Sequence, residues 1–479
     1  MRKKILSCGM GLLLLLGCGL SAAAEQPYDG IMQSDYRGGI KPIPKTYTYQ
    51  QSVSYLGEEY GSLNEASDLF VAPNDHIFIA DTNNNRVVEL DEELNTVAVY
   101  TNEAEEGFQK PQGVFVDEDG QIYVADTDNR RIVLLDEDGT FVEAYGKPVS
   151  TMLSEEFTFT PRRLAVSSTG YMYVIRHQWL MQIDGNNEFR GYVGVNEVGY
   201  DFFYVVRRFF ANEKQKIAMS RREPDSCLSF DIAPDGSIYV TSAGESDQLK
   251  RINSVGVNTY PAFECIQPTD ADGQPVTPNL IDVAAAENGL VYLLESRSAQ
   301  IMIYDDSGNN LAIFGGLGDG RDTLTVGECS GVTLEDVNSE GVVYVLDQGQ
   351  NSVKVYEPTE FLQNIASAVS YMSDGRYSQA LEYWNRVADV DYSYRLANYG
   401  IGKSYYKNHD WQNAMYYYEM CDNKSEYSAA FSERRQEIIH AYFGWFVLAA
   451  FGALALLILL VRGYLWFAGK TIRKYYDRI

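Results

Sequence analysis

The fragment IFIADTNNNRVVEL at Ile77 returns as IYVADTDNRRIVLL at Ile122, and weaker copies begin at Met172, Ile238, Val291 and Val343. Each copy places an aromatic second in a hydrophobic run: Phe78, Tyr123, Tyr173, Tyr239, Tyr292 and Tyr344, spaced 45, 50, 66, 53 and 52 residues apart (Tyr173 is second in MYVIRHQWLMQI). A hydrophobic run, a polar turn and a second run read as a β-hairpin. Repeats of this length mean units that stack or ring, since no one unit buries its own faces. The second copy is the fullest: GVFVDEDG, QIYVADT, RRIVLLDEDG and TFVEAYG give four strands divided by Asp-Gly-type turns. Four antiparallel strands per unit, set around a circle, make an all-β propeller of six blades.

The sixth copy supplies three strands and stops at Pro358, while Thr46 to Gly57 (TYTYQQSVSYLG) reads as an unassigned strand ahead of the first copy. The expectation is that this segment completes the last blade, which removes two open sheet edges. The shared text D-T-x-N-x-R-[IV] in ADTNNNRV and ADTDNRRI resembles the NHL-repeat family of propellers, over roughly residues 46–358. The other four copies keep the strand pattern and lose the signature. Asp81, Asn84 and Arg86, with Asp126, Asn129 and Arg131, are expected to hold turns and tie blades, because Asp and Asn bond nearby backbone and Arg carries a fork of donors. Calcium held by the same cluster is the alternative, against which stands the lack of a dense oxygen-ligand spacing.

Blade three departs from the others. It has Arg176 where the first two copies have Asp81 and Asp126, Arg162 and Arg163 after its proline where blade two has Gln112 and Gly113, and His177 and Trp179 follow. Within the insert from Val198 to Asp225, DFFYVVRRFFANEKQKIAM reads as a helix carrying Arg207 and Arg208, and the insert also brings Arg221 and Arg222. A basic group within an acidic chain suggests a recess for an acidic ligand; the alternative is that these arginines neutralise neighbouring carboxylates across blades. Six-bladed propellers resembling lactonases and lyases use calcium or zinc in the channel with His and acidic ligands. Here only His76 and His177 fall within the propeller, in different blades, and no Ser/His/Asp set or G-x-S-x-G elbow is present. No catalytic residue and no metal ligand is assigned.

The formal charge is −27, and since residues 1–24 carry +3 and residues 462–479 carry +4, the middle carries −34. Such a surface repels phosphate backbones, so nucleic acid is excluded as a partner. Residues 1–24 read as a signal peptide: Arg2, Lys3 and Lys4, an apolar core, then small residues before Glu25. LLGC, ending at Cys18, is a second reading in which Cys18 is lipidated. Residues 25–45 read as a linker. Cys227, Cys265, Cys329 and Cys421 lack any CxxC pair, and their spacing assigns no disulfide.

After Pro358 the strand pattern gives way to helical periodicity. Ala380 and Ala414, Trp384 and Tyr418, and Tyr371 and Tyr405 all recur at one common interval, the period of a two-helix repeat. With Gly402 and Tyr405 at small and aromatic positions, residues 359–440 resemble the tetratricopeptide family, which implies paired helices, a peptide-binding groove or a rigid stalk. Tyr442 to Val461 is twenty residues without a charge, the length that crosses a bilayer. A transmembrane helix is expected over 441–467, followed by a basic cytoplasmic tail, 468–479. The whole resembles the membrane-anchored NHL-repeat proteins of bacteria. That resemblance implies a surface protein with its bulk outside the cell, binding a protein or glycan partner, as an accessory to an envelope transport or assembly complex. A propeller ectoenzyme of the lactonase or lyase kind, with a channel metal, is the second hypothesis.

Overall fold

A computed structural model describes residues 30–33, 40–102, 106–193, 226–243, 247–263, 265, 267, 277–316, 334–338 and 340–476. The chain divides into two compact units, residues 1–370 and 371–479.

The first unit is a six-bladed β-propeller. Its blades take their second strands from Ile77–Asp81, Ile122–Asp126, Met172–Arg176, Ile238–Thr241, Val291–Glu295 and Val343–Asp347, the six copies marked in the sequence. The strand from Tyr47 to Val53 lies antiparallel to Ser352–Pro358, with Tyr47 opposite Pro358 and Val53 opposite Val353, so the N-terminal segment does close the last blade. Blade four shows three strands among the described residues. There the edge residue Arg251 is covered by a returning loop: Asn258 Oδ1 accepts its N–H at 3.0 Å, and Thr259 N donates to its carbonyl at 2.7 Å.

One expectation changes. Within the segment read as linker, Gly30–Gln33 and Ile40–Ile43 form a hairpin, and Ile31 pairs with Ile313 on the outer strand of blade five, extending that sheet to six strands. Four-residue strands interrupted by Pro42 carry too little pattern to stand out from a polar leader.

Every residue of Ile77–Asp81, Ile122–Asp126, Val291–Glu295 and Val343–Asp347 is buried. A blade packs against a neighbour on each face, and side chains alternate across a strand, so one strand feeds two cores. Ile77 and Ile79 pack with Tyr344, Leu346 and Val353 of blade six. Phe78 and Ala80, on the alternate face, pack with Val114, Val124 and Val133 of blade two. This double burial explains why the marker run is hydrophobic without a polar alternate.

The second unit is helical. Helix α1 (Glu360–Ser373) leads from the propeller into α2 (Tyr377–Val390), α3 (Arg395–Lys407), α4 (Trp411–Met420) and α5 (Lys424–Tyr476). Tyr371 stacks on Tyr383 at 5.4 Å, and one repeat later Tyr405 stacks on Tyr417 at 5.8 Å. Asp410 caps α4 by accepting from Asn413 N at 3.1 Å. Helix α5 runs unbroken for 53 residues, about 80 Å at the α-helical rise. Its apolar part makes it long and hydrophobic enough to be a candidate membrane span, and none of that stretch is buried.

Candidate functional site

The repeat signature builds a lock at one end of each regular blade. In blade one the buried Asp81 carboxylate accepts from Asn64 N (2.8 Å), Asn84 Nδ2 (2.8 Å) and Arg86 Nε (2.7 Å). Arg86 passes on to the carbonyls of Tyr60 (2.7 Å) and Ser62 (3.3 Å), in the loop arriving from blade six. Thr82 Oγ1 donates forward to Pro111 O of blade two at 2.7 Å. Blade two repeats this with Gln109 N, Asn129 Nδ2 and Arg131 Nε on Asp126, Arg131 on Gly107 O, and Thr127 on Pro161 O. One signature thus holds its own turn, the incoming loop and the next blade. Three N–H donors converge on each carboxylate, which is the geometry of a structural lock.

Blades three, five and six hold the same position with other chemistry. Glu295 accepts from Asn279 N and Ser298 N in blade five. In blade six Asp347 pairs with the buried Lys354 at 3.0 Å, because Ser352 stands opposite Asp347 where the regular blades have Arg. Blade three reverses the polarity: Arg176 donates to Thr158 O and lies over the Phe157 ring at 4.2 Å, so an arginine takes a loop carbonyl where aspartate takes a loop amide. Its hairpin is shorter. Arg176 pairs directly with Trp179, leaving His177 and Gln178 as the turn, and the residues that would carry Thr and Asn are gone. His177 has φ 55°, the left-handed turn conformation that Asn85, Arg130, Ala299 and Asn351 adopt in their blades.

Arg163 lies at the centre of the ring. Pairing with the marker strands sets Asp68, Gly113, Arg163, Ser229 and Asp282 at one level of the innermost strands. Arg163 Nη1 donates to Asp282 and to Ser229 Oγ, and its Nε lies 3.6 Å from Asp68 Oδ1. Ser229 Oγ donates to Asp282 Oδ1 at 2.5 Å. The acids also lace the blades together: Asp68 accepts Val114 N at 2.8 Å and Asp231 accepts Ala285 N at 2.7 Å. Asp68, Arg163 and Asp231 border a small cavity of about 20 Å³ with Phe70, Phe115 and Ala165.

Burial governs the charges here. It pushes Asp68 up to about 7 against the pull of Arg163 and the Val114 amide. Asp231 is pushed up to about 6 by burial, with Ala285 N and Arg163 opposing. Asp282 is also raised by burial, though Arg163 beside it opposes the shift. Arg163 is held above its ordinary value: burial acts against it, and Asp282 and Asp68 outweigh that. Between the two sequence readings of Arg163, the geometry is that of cross-blade neutralisation.

The other described candidates, Arg162, His177 and Trp179, lie at one end of blade three. Arg162 and His177 are exposed there, and Trp179 sits edge-on to Tyr192 at 5.8 Å. Arg207 and Arg208, with the whole expected inserted helix, lie outside the described residues. The sequence reading passed over Asp68, Ser229, Asp231 and Asp282; an alignment of all six first strands, beyond that of blades two and three, would have shown the column. Cys227, Cys265 and Cys421 are buried free thiols, and Cys329 is outside the described residues. Among the described residues no group of three or more His, Cys, Asp or Glu side chains converges as metal ligands do.

No curated protein matches the chain. Among solved structures, a streptogramin B lyase is similar at 12% identity, covering 69% of this chain and 87% of that one, with a TM-score of 0.40. Virginiamycin B lyase from Staphylococcus aureus is similar at 10% identity, covering 69% and 88%, with a TM-score of 0.38. The NHL repeat family model matches residues 108–133, the span of blade two that carries Asp126, Asn129 and Arg131.

Proposed function

We propose that the protein is a membrane-anchored binding scaffold that holds a propeller and a tetratricopeptide-like helical array outside the cell, where they recognise a protein or glycan partner. The observation that carries this reading is α5: one helix begins packed in the helical unit and continues through twenty apolar residues, none of them buried. An exposed apolar stretch of that length needs a bilayer. The propeller supports the scaffold half. Its signature carboxylates and central arginine are engaged in holding blades, which makes a rigid platform from which loops can act. In this reading the N-terminal signal is removed, the acidic bulk stays outside, the basic tail stays inside, and the partner belongs to an envelope transport or assembly complex.

The face we assign to the partner is the end of blade three, where Arg162 on the first strand and His177 in the turn after the second strand are both exposed. Full-length protein, cross-linked in its own membranes and recovered, is expected to carry a stoichiometric protein or glycan. Arg162→Glu with His177→Ala is expected to lower that recovery at least tenfold. Undiminished recovery moves the face elsewhere, and a wild type that captures nothing removes the scaffold reading.

A further inference from the structure

Helix α5 does not end where its apolar stretch ends. It continues from Arg462 to Tyr476, fifteen residues or about 22 Å beyond the uncharged stretch. Arg462, Trp466, Lys470 and Arg473 follow one another at steps of four, four and three, the spacing that stacks side chains on a single narrow helix face. Leu465, Ala468 and Ile472 follow one another at steps of three and four along a flanking, apolar stripe, so the helix keeps a basic and an apolar side beyond the uncharged stretch. All four residues of the basic face are exposed, and Lys470 Nζ lies 4.6 Å from the centre of the Trp466 ring.

Two features single out this face. Lys470 and Arg473 are like charges one turn apart, an arrangement that destabilises an isolated helix unless an anion lies between them. The acid nearest in sequence is Asp477, in a chain whose middle carries −34. Basic groups are thus gathered at the one place where the chain leaves the bilayer, with an indole among them at headgroup depth. We propose that Arg462, Trp466, Lys470 and Arg473 form a binding face for anionic phospholipids, the cations holding headgroup phosphodiesters and Trp466 lying at the interface. The proposal rests on the membrane-anchor reading above and names the lipid chemistry that the anchor selects.

The test uses full-length protein in mixed micelles of phosphatidylcholine and phosphatidylglycerol, with the bound lipids counted by native mass spectrometry. Phosphatidylglycerol is expected to be enriched on the wild type. Lys470→Gln and Arg473→Gln are each expected to lower the enrichment about fivefold, the weight of one basic residue near an anionic surface. The charge-conserving pair Lys470→Arg and Arg473→Lys is expected to keep it. Equal lipid ratios on the wild type, or enrichment that survives removal of both charges, overturn the proposal. So does loss of the enrichment in millimolar inorganic phosphate, which would mark a phosphate site in place of a lipid surface. Alkaline extraction of membranes separates the two levels: a chain that washes out sinks the anchor and the lipid face together, whereas a retained chain without enrichment sinks the lipid face alone.

Discussion

Gly113 shows how tightly the ring is drawn at its centre. A Cβ there would stand 2.5 Å from Arg162 O and 3.0 Å from Arg163 Cα, so blade three approaches blade two through the space a side chain would fill. Neither contact is the loose end of a flexible chain. Gly113→Ala is expected to cost about 1–3 kcal/mol of propeller stability, as overpacking does, and to loosen the Arg163 network with it; urea unfolding checks this. Asp68 and Asp231 make a second prediction. Both fold with raised pKa values, so between about pH 4 and 7 the native state holds protons that the unfolded chain has released. Their contribution is therefore full below the unfolded carboxylate value and is lost as pH rises through about 6 and then 7. Asp68→Asn cannot ionise, so its stability relative to wild type is expected to rise from pH 4 to pH 7. A flat difference across that range would show that Asp68 does not titrate there. Cross-blade neutralisation by Arg163 was one of two readings of the sequence, but its partners were not legible along the chain. Arg163 meets Asp282 across 119 positions, a pairing made by ring closure and by no local pattern.

At the scale of single elements the sequence was more open. The strand signal survives because a marker strand is buried on both faces, and Asp126, Asn129 and Arg131 read as a turn lock because their bonds reach only a few residues or into the adjoining loop. Blade three resisted the same reading because its hairpin lost two residues, so an alignment by signature finds nothing where an alignment by strand finds Arg176 opposite Trp179. The helices show a similar division. Gly402 was marked as a small position, and a Cβ there would sit 2.9 Å from the Tyr418 ring. Gly400, which no repeat pattern marks, is the tighter of the two: its Cβ would fall 2.2 Å from Trp384 Nε1. Trp384 is itself buried and donates to Met372 Sδ at 2.9 Å, so the indole has little freedom to move. Gly400→Ala is expected to destabilise the helical unit more than Gly402→Ala, despite alanine's better helix propensity, because steric exclusion outweighs a gain of about 1 kcal/mol. Thermal melts followed by far-UV circular dichroism would rank the two, and the reverse order would put the close approach at the wrong glycine.

For the molecule as a whole, the closing strand decides whether six blades behave as one body. Tyr47 is where that closure is most concentrated. Its ring stacks on Phe314 of blade five at 4.2 Å, and its hydroxyl lies 3.0 Å from Tyr292 Oη and donates to Gly341 O at 2.9 Å. One buried side chain on the N-terminal strand therefore ties blade five to blade six. Tyr47→Ala removes the stack and leaves buried polar groups without their partner, an expected loss of about 3–5 kcal/mol. Tyr47→Phe keeps the ring and removes only the hydroxyl, so its cost should be nearer about 1–2 kcal/mol. The distinguishing readout is cooperativity. If closure couples the ring, Tyr47→Ala should split a single unfolding transition, with amides of Ser352–Pro358 exchanging ahead of those in blades two and three. An unfolding curve that shifts without splitting, with exchange rising evenly around the ring, would mean that the packing between neighbouring blades already unites the propeller and that closure contributes stability without being its keystone.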